Sequence, residues 1–327
     1  MSPRARVWLK WALGAAALIA LPLVVRDRYF LHLVVTAGIF VLLASSWNLL
    51  AGYAGQLNLG HAAFYGIGAY TSAILATKLG ITPWLGLLAG GLMAALFGLM
   101  LGVPALRLSG PYLAITTIGF SEILRLVAMN WVELTRGSLG LYGIPPFSPI
   151  RLGSWLEIEF RSEIGAYYLL LVLVCASLAC FRRLTVSEFG LSLKSLREDE
   201  IGAASIGINI SGYKLAVFTI SAFFAGLAGA FFAHYQRLVS PDTLSLGETF
   251  AILTMTMLGG LGTLVGPVLG AVLLTFLSEG LRFVEDVVKL DVRMIIYGVL
   301  LIVTIRFMRG GIVGLWNSLR RAGRTED

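Results

Sequence analysis

Charge is what this chain has least of: 13% of its 327 residues are Asp, Glu, Lys or Arg, where a soluble domain carries about 25%. So few charges cannot cover a folded surface in water, which excludes an ordinary soluble globule. Cysteine is scarce too. Cys175 and Cys180 stand inside an apolar stretch, without the spacing of a disulfide framework or a thiolate metal site, and read as small apolar fillers. The three histidines, His32, His61 and His234, lie far apart and form no H-x-x-x-H pattern, so neither a metal nor any other cofactor is expected.

Catalytic motifs are missing as well. No G-x-x-x-x-G-K-[ST] loop occurs, so the chain cannot hydrolyse nucleotide by the P-loop route, and neither a G-x-S-x-G elbow nor an H-E-x-x-H helix is present. An enzyme is therefore not expected, and the energy for any work this chain performs must come from elsewhere.

What is abundant is apolar sequence in long blocks. Hydrophobic residues make up 57% of the chain, and they run continuously, as in Leu85 to Leu106 and Ile295 to Ile305, instead of recurring at the spacing of a surface helix. About 20 such residues cross a bilayer. Spans are placed near 7–25, 29–50, 62–79, 83–106, 111–130, 164–181, 214–236, 247–258, 264–281 and 293–309, giving an all-α integral membrane protein of about ten helices in a single domain, 1–327. The eighth is too short alone and is expected to form a hairpin or a broken pair with the ninth. The basic stretch Arg4, Arg6 and Lys10 before the first block resembles a secretory leader, but Arg26 and Arg28 follow with no small-residue cleavage site, so a retained helix is expected.

The net charge of +7 raises the question of nucleic acid, which the placement of the cations answers. They sit at the ends of apolar blocks, as in proteins that use them to fix topology in lipid. Arg4, Arg6, Lys10, Arg107, Arg182, Arg183, Lys194, Arg197, Lys214, Arg306, Arg309, Arg320, Arg321 and Arg324 fall on one side of the ten-span arrangement, together with both termini. By the positive-inside rule that side is cytoplasmic. Two loops are long enough to hold structure. The outer one, 131–163, is rich in Gly, Pro and Ser and reads as a surface cap or docking region, or as a plain connector. The inner one, 182–213, carries acids at 198–200 followed by small and apolar residues to Gly207, the pattern of a short helix with a glycine stop.

Glycine interrupts the apolar blocks at two places, Gly52 to Gly60 and Gly259 to Gly266. Interrupted helices expose backbone groups that can hold a solute, which makes Gln56, Asn58 and His61 candidate groups of a translocation path. The competing reading, close helix packing through small residues, is the better supported by spacing alone. Glu122, inside the fifth span, is a fourth candidate, although Arg125 at i+3 is placed to pair with it. Glu248 and Glu279 are expected to reach the interface from span ends.

Four stretches, taken in order, resemble the branched-chain amino acid permeases of ATP-binding-cassette importers, specifically the LivM type. They are Trp47-Asn48-Leu49-Leu50-Ala51-Gly52-Tyr53-Ala54-Gly55-Gln56-Leu57-Asn58-Leu59-Gly60-His61, then Leu106 to Ile115, then Arg197 to Asn209, then Leu258 to Pro267. The resemblance implies a pair of related permeases, this chain and a LivH-type subunit. It also implies two cytoplasmic ATPase subunits and a periplasmic protein that delivers leucine, isoleucine or valine across a bacterial inner membrane. It further implies that Glu198, Asp199, Glu200, Ala203, Ala204 and Gly207 belong to a coupling helix that docks on an ATPase, loosely matching an E-A-A...G pattern in which Ile201 and Gly202 intervene. Arg136 departs from the family by placing a cation where glycine is common, which leaves urea, short amides or aromatic acids as alternative solutes. From the residues alone, a self-sufficient secondary transporter, a small-solute channel and a membrane scaffold all stay open.

Overall fold

The structure is a computed structural model and describes residues 18–22, 27–105, 108, 110–152, 156–158, 160, 162–288, 292–308 and 310–322. Most of the first expected span lies outside these residues; its segment 18–22 is helical. The long helices are α1 (Arg28–Asn48), α2 (His61–Lys78), α3 (Pro83–Ala105) and α4 (Pro111–Asn130). A single turn, α5 (Val132–Thr135), precedes α6 (Glu163–Val186), α7 (Glu188–Glu198), α8 (Glu200–Ser205) and α9 (Ile210–Gln236). The chain closes with α10 (Leu246–Gly259), α11 (Gly266–Val288), α12 (Val292–Phe307) and α13 (Gly311–Ala322).

Helix starts follow local chemistry. Side chains accept the free N–H groups of the first turn at Asp27 (from Tyr29, 3.0 Å), Ser162 (from Gly165, 3.1 Å), Asn209 (from Gly212, 3.0 Å) and Ser245 (from Glu248, 3.4 Å). Pro83 and Pro111 open α3 and α4, where a missing N–H costs nothing. Among the described residues, six segments are long and apolar enough to cross a membrane: Arg28–Tyr53, Pro83–Pro104, Pro111–Asn130, Glu163–Val186, Ile210–Gln236 and Ile295–Trp316. The molecule is therefore a helical, multi-pass membrane protein.

Its core is not where large apolar residues are densest. On α3, Leu85, Leu88, Leu92, Leu96, Met100 and Val103 all point outward, half or more exposed, while Gly90, Gly91, Gly98 and Gly102 face α9. Large side chains thus meet lipid and small ones meet protein, because lipid gives no hydrophobic reason to hide leucine. Helices α2, α3 and α9 make the most extensive packing in the molecule, and at its centre Gly68, Gly90 and Gly226 bring three backbones together. Helix α2 is too polar to count among the apolar spans, yet most of it is buried inside this bundle. Cys175 and Cys180 are free and point outward.

The described residues of segment 131–152 fold back on one end of the bundle. Strand β1 (Leu141–Tyr142) pairs antiparallel with β4 (Leu238–Val239), and β2 (Ile150–Leu152) pairs with β3 (Leu156–Ile158). Ile144 and Phe147 are buried, and His234 Nδ1 lies 2.7 Å from the Pro145 carbonyl. The opposite end carries α7, α8 and both glycine interruptions.

Candidate functional site

At the first interruption α1 loosens into a π turn, Leu49–Tyr53, and the chain crosses to α2 without regular structure, with Gly55 at φ +67°. Trp47 Nε1 donates to the Asn58 carbonyl (2.7 Å), and Asn58 Oδ1 accepts from Gly60 N (2.9 Å). The second interruption, 260–265, is a tight turn between α10 and α11 with Gly260 and Gly262 at positive φ. Asn48 joins the two: its Nδ2 donates to the Thr263 carbonyl and its Oδ1 accepts from Gly262 N, each at 2.8 Å. Side chains here have no room, since a β-carbon on Gly52 would lie 2.1 Å from Asn48 Oδ1 and 2.6 Å from Gly262 N.

The candidate path residues divide. Gln56, Asn58 and His61 are buried around the first interruption. Ser46 Oγ gives its proton to the Leu43 carbonyl (2.8 Å), so its 2.9 Å contact with His61 Nε2 has the ring N–H as donor. His61 Nδ1, Asn58 Nδ2 and Gln56 Oε1 then have no hydrogen-bond partner among the described residues. Glu122 is not brought to them. It lies on α4 in a two-pronged bond with Arg125, at 2.6 and 2.9 Å.

The acidic loop differs from the single helix expected over it. Asp199 breaks it at φ −152°, so Glu198 ends α7, and the Asp199 side chain caps α8 by accepting from Ile201 N (3.0 Å). The glycine stop is present: Gly207 takes φ +86°, and its N–H donates to the Ala204 carbonyl (3.0 Å). Ala203 is buried against the bundle, and Glu200 binds Lys214 Nζ at 2.6 Å. The apolar residues presented outward are Ile201 and Ile206, 80% and 76% exposed, with Ala204 beside them. Helical phase decides this: Ala203 takes the inward face of a six-residue helix whose ends point out.

A cleft of about 410 Å³ opens at the end that carries β1 and β4, between α1, α2, α9, α10, α11 and α12. Its wall is apolar through Leu33, Ile39, Phe40, Phe232, Ala251 and Met255, and its rim carries His32, Glu248, Glu279 and Arg282. Tyr29 OH donates to Glu279 across the rim. Tyr235 OH donates to Glu163 (2.6 Å) and so accepts from His32 Nδ1 (2.7 Å), tying α1, α9 and α6. Sequence reasoning missed this cleft. The usable signal was that Ser245, Glu248, Ser278 and Glu279 fall at the facing ends of two otherwise apolar spans, 247–258 and 264–281. No group of three potential metal ligands occurs among the described residues.

Residues 29–305 match the family described as the branched-chain amino acid transport system permease component. The chain is 40% identical over 261 residues to the high-affinity branched-chain amino acid transport system permease protein LivM of Escherichia coli (strain K12), an alignment covering 75% of this chain and 61% of that one. It thus spans about 61% of the length of this LivM and of that of Salmonella typhimurium. A probable LivM of Methanocaldococcus jannaschii is 23% identical over 319 residues, covering 84% and 90% of the two chains. The permease protein LivH of Salmonella typhimurium is 27% identical over 292 residues, covering 84% and 91%. No solved structure matches. A helical membrane chain with two glycine interruptions joined by Asn48, matching along residues 29–305, belongs to the branched-chain amino acid transport system permease family.

Proposed function

We propose that this chain is one permease subunit of an ATP-binding-cassette importer that carries leucine, isoleucine or valine across a bacterial inner membrane. A LivH-type permease pairs with it, two cytoplasmic ATPases drive it, and a periplasmic amino acid binding protein feeds it at the 131–163 end. In this reading the chain crosses the membrane about ten times, with both termini cytoplasmic. The observation that carries it is the α7–α8 elbow, which offers Ile201, Ala204 and Ile206 to solvent while Ala203 and the Glu200–Lys214 pair hold it to the bundle. An exposed apolar knob on a firmly held short helix is the shape a partner groove takes up. A self-sufficient transporter or a urea or amide channel is less well supported, because Glu122, its best coupling acid, is engaged by Arg125.

The test is what co-purifies with the tagged chain from its own membranes. ATPase subunits are expected with the unaltered chain and are expected to fall about tenfold or more with Ile201→Asp, which places a charge at the centre of the contact. An unaltered chain that brings down no ATPase, or imports leucine at full rate alone, would sink the proposal.

The cleft is the proposed outer entrance to the path, since its apolar wall suits a branched side chain and its charged rim the ammonium and carboxylate. With Cys175 and Cys180 replaced by Ser, a Ser278→Cys chain labelled by a thiol reagent after assembly is expected to lose about 90% of leucine uptake. Full labelling with uptake unchanged would move the path elsewhere.

A further inference from the structure

The two glycine interruptions and the proposed docking elbow meet at one side chain. Arg197, at the end of α7, donates from Nη1 to the Gly52 carbonyl at 2.5 Å. That carbonyl lies in the π turn ending α1, where a cation suits the negative end of the helix. The rest of the side chain is cradled by glycine. A β-carbon on Gly55 would lie 3.0 Å from Arg197 Cγ, and one on Gly262 would lie 3.0 Å from Nη1. Glycine therefore stands in both interruptions where Arg197 passes, and Asn48 bonds them together behind it.

The same residue is covalently next to the docking helix. Two residues after it, Asp199 caps α8, and Glu200 fixes α8 to Lys214 on α9. Leu193 and Leu196 bury the inner face of α7, so the elbow sits firmly against the bundle. Lys194 also lies over the Tyr53 ring at 5.9 Å, so movement of α8 reaches the first interruption through α7, with Arg197 as its hydrogen-bonded contact, or through α9.

We propose that Arg197 is a positioning residue that transmits movement of the docking elbow to the two glycine interruptions, so that ATP use and opening of the path stay coupled. This rests on the importer reading above. Lysine would keep the charge but lose the planar guanidinium whose Nη1 reaches the Gly52 carbonyl beside Gly262.

The experiment uses the whole complex, purified through the tagged chain and placed in lipid vesicles with leucine, its amino acid binding protein and ATP, for the unaltered chain, Arg197→Met and Arg197→Lys. Melting temperature and recovery of ATPase subunits are followed beside transport and hydrolysis. Expected for Arg197→Met is a fall of about tenfold or more in leucine moved per ATP, within the 5–150-fold range of coupling between sites, with hydrolysis and subunit recovery changed by less than about twofold. Arg197→Lys is expected to fall between the two. Transport and hydrolysis that decline in proportion, a loss confined to melting temperature, or an unchanged ratio would each overturn the proposal. An unaltered chain without ATPase overturns the importer reading itself, and that is seen before any variant is made.

Discussion

Gly229→Ala is expected to leave little folded protein in the membrane. A β-carbon there would lie 1.8 Å from the Tyr65 carbonyl oxygen and 3.0 Å from Ala69 N, both backbone atoms of α2. Two effects compete. Alanine gains about 1 kcal/mol of helix propensity over glycine, whereas overpacking costs about 1–3 kcal/mol even where side chains can move aside. Here the obstacle is a backbone, so α9 must separate from α2 along much of the seam, and a net loss of about 2 kcal/mol or more is expected. Gly119→Ala is the contrast. It meets nothing within 4 Å, so only the propensity gain remains, and a rise of about 0.5–1 kcal/mol is expected. Heating both variants in detergent and measuring the surviving monodisperse fraction compares them. Equal behaviour would mean that the α2–α9 seam is looser than the structure has it.

Glu200→Ala is expected to be the second most damaging change, although Glu200 lies at the surface. Its partner Lys214 is 2% exposed, while Glu200 itself is 42% exposed. Stranding a charge in a fully buried pair costs about 3–5 kcal/mol, and breaking an exposed pair costs about 0–1 kcal/mol. With one partner at each extreme, about 2 kcal/mol is expected. The origin of the loss is separable. If it is the abandoned ammonium of Lys214, then Lys214→Met in the same chain should restore most of the stability, since a methionine fills that space without charge. A double variant as unstable as Glu200→Ala alone would assign the loss to α8.

Composition and block hydropathy were enough to identify a helical membrane protein, because the bilayer demands long apolar helices whatever they pack against. The same signal is weakest for helices shielded from lipid: helix α2, with His61, Tyr65, Tyr70, Thr71 and Ser72, coincides with the span expected at 62–79 but is the more polar for being buried in protein. The break at Asp199 was also hidden, since acids at 198–200 are equally consistent with the first turn of one continuous helix.

The local sequence determined the capping residues, the glycine stop at Gly207, the glycine interruptions and the pairing of Glu122 with Arg125, all of which depend on neighbours within a few positions. Tertiary structure alone decided which polar groups meet. Asn48 finds Gly262 and Thr263 more than 200 positions away, Arg197 reaches back to Gly52, and the cleft draws its lining from six helices. The physical reason is that lipid selects only for apolar length along each span, so the side chains that recognise one another across the bundle leave no periodic trace in the sequence.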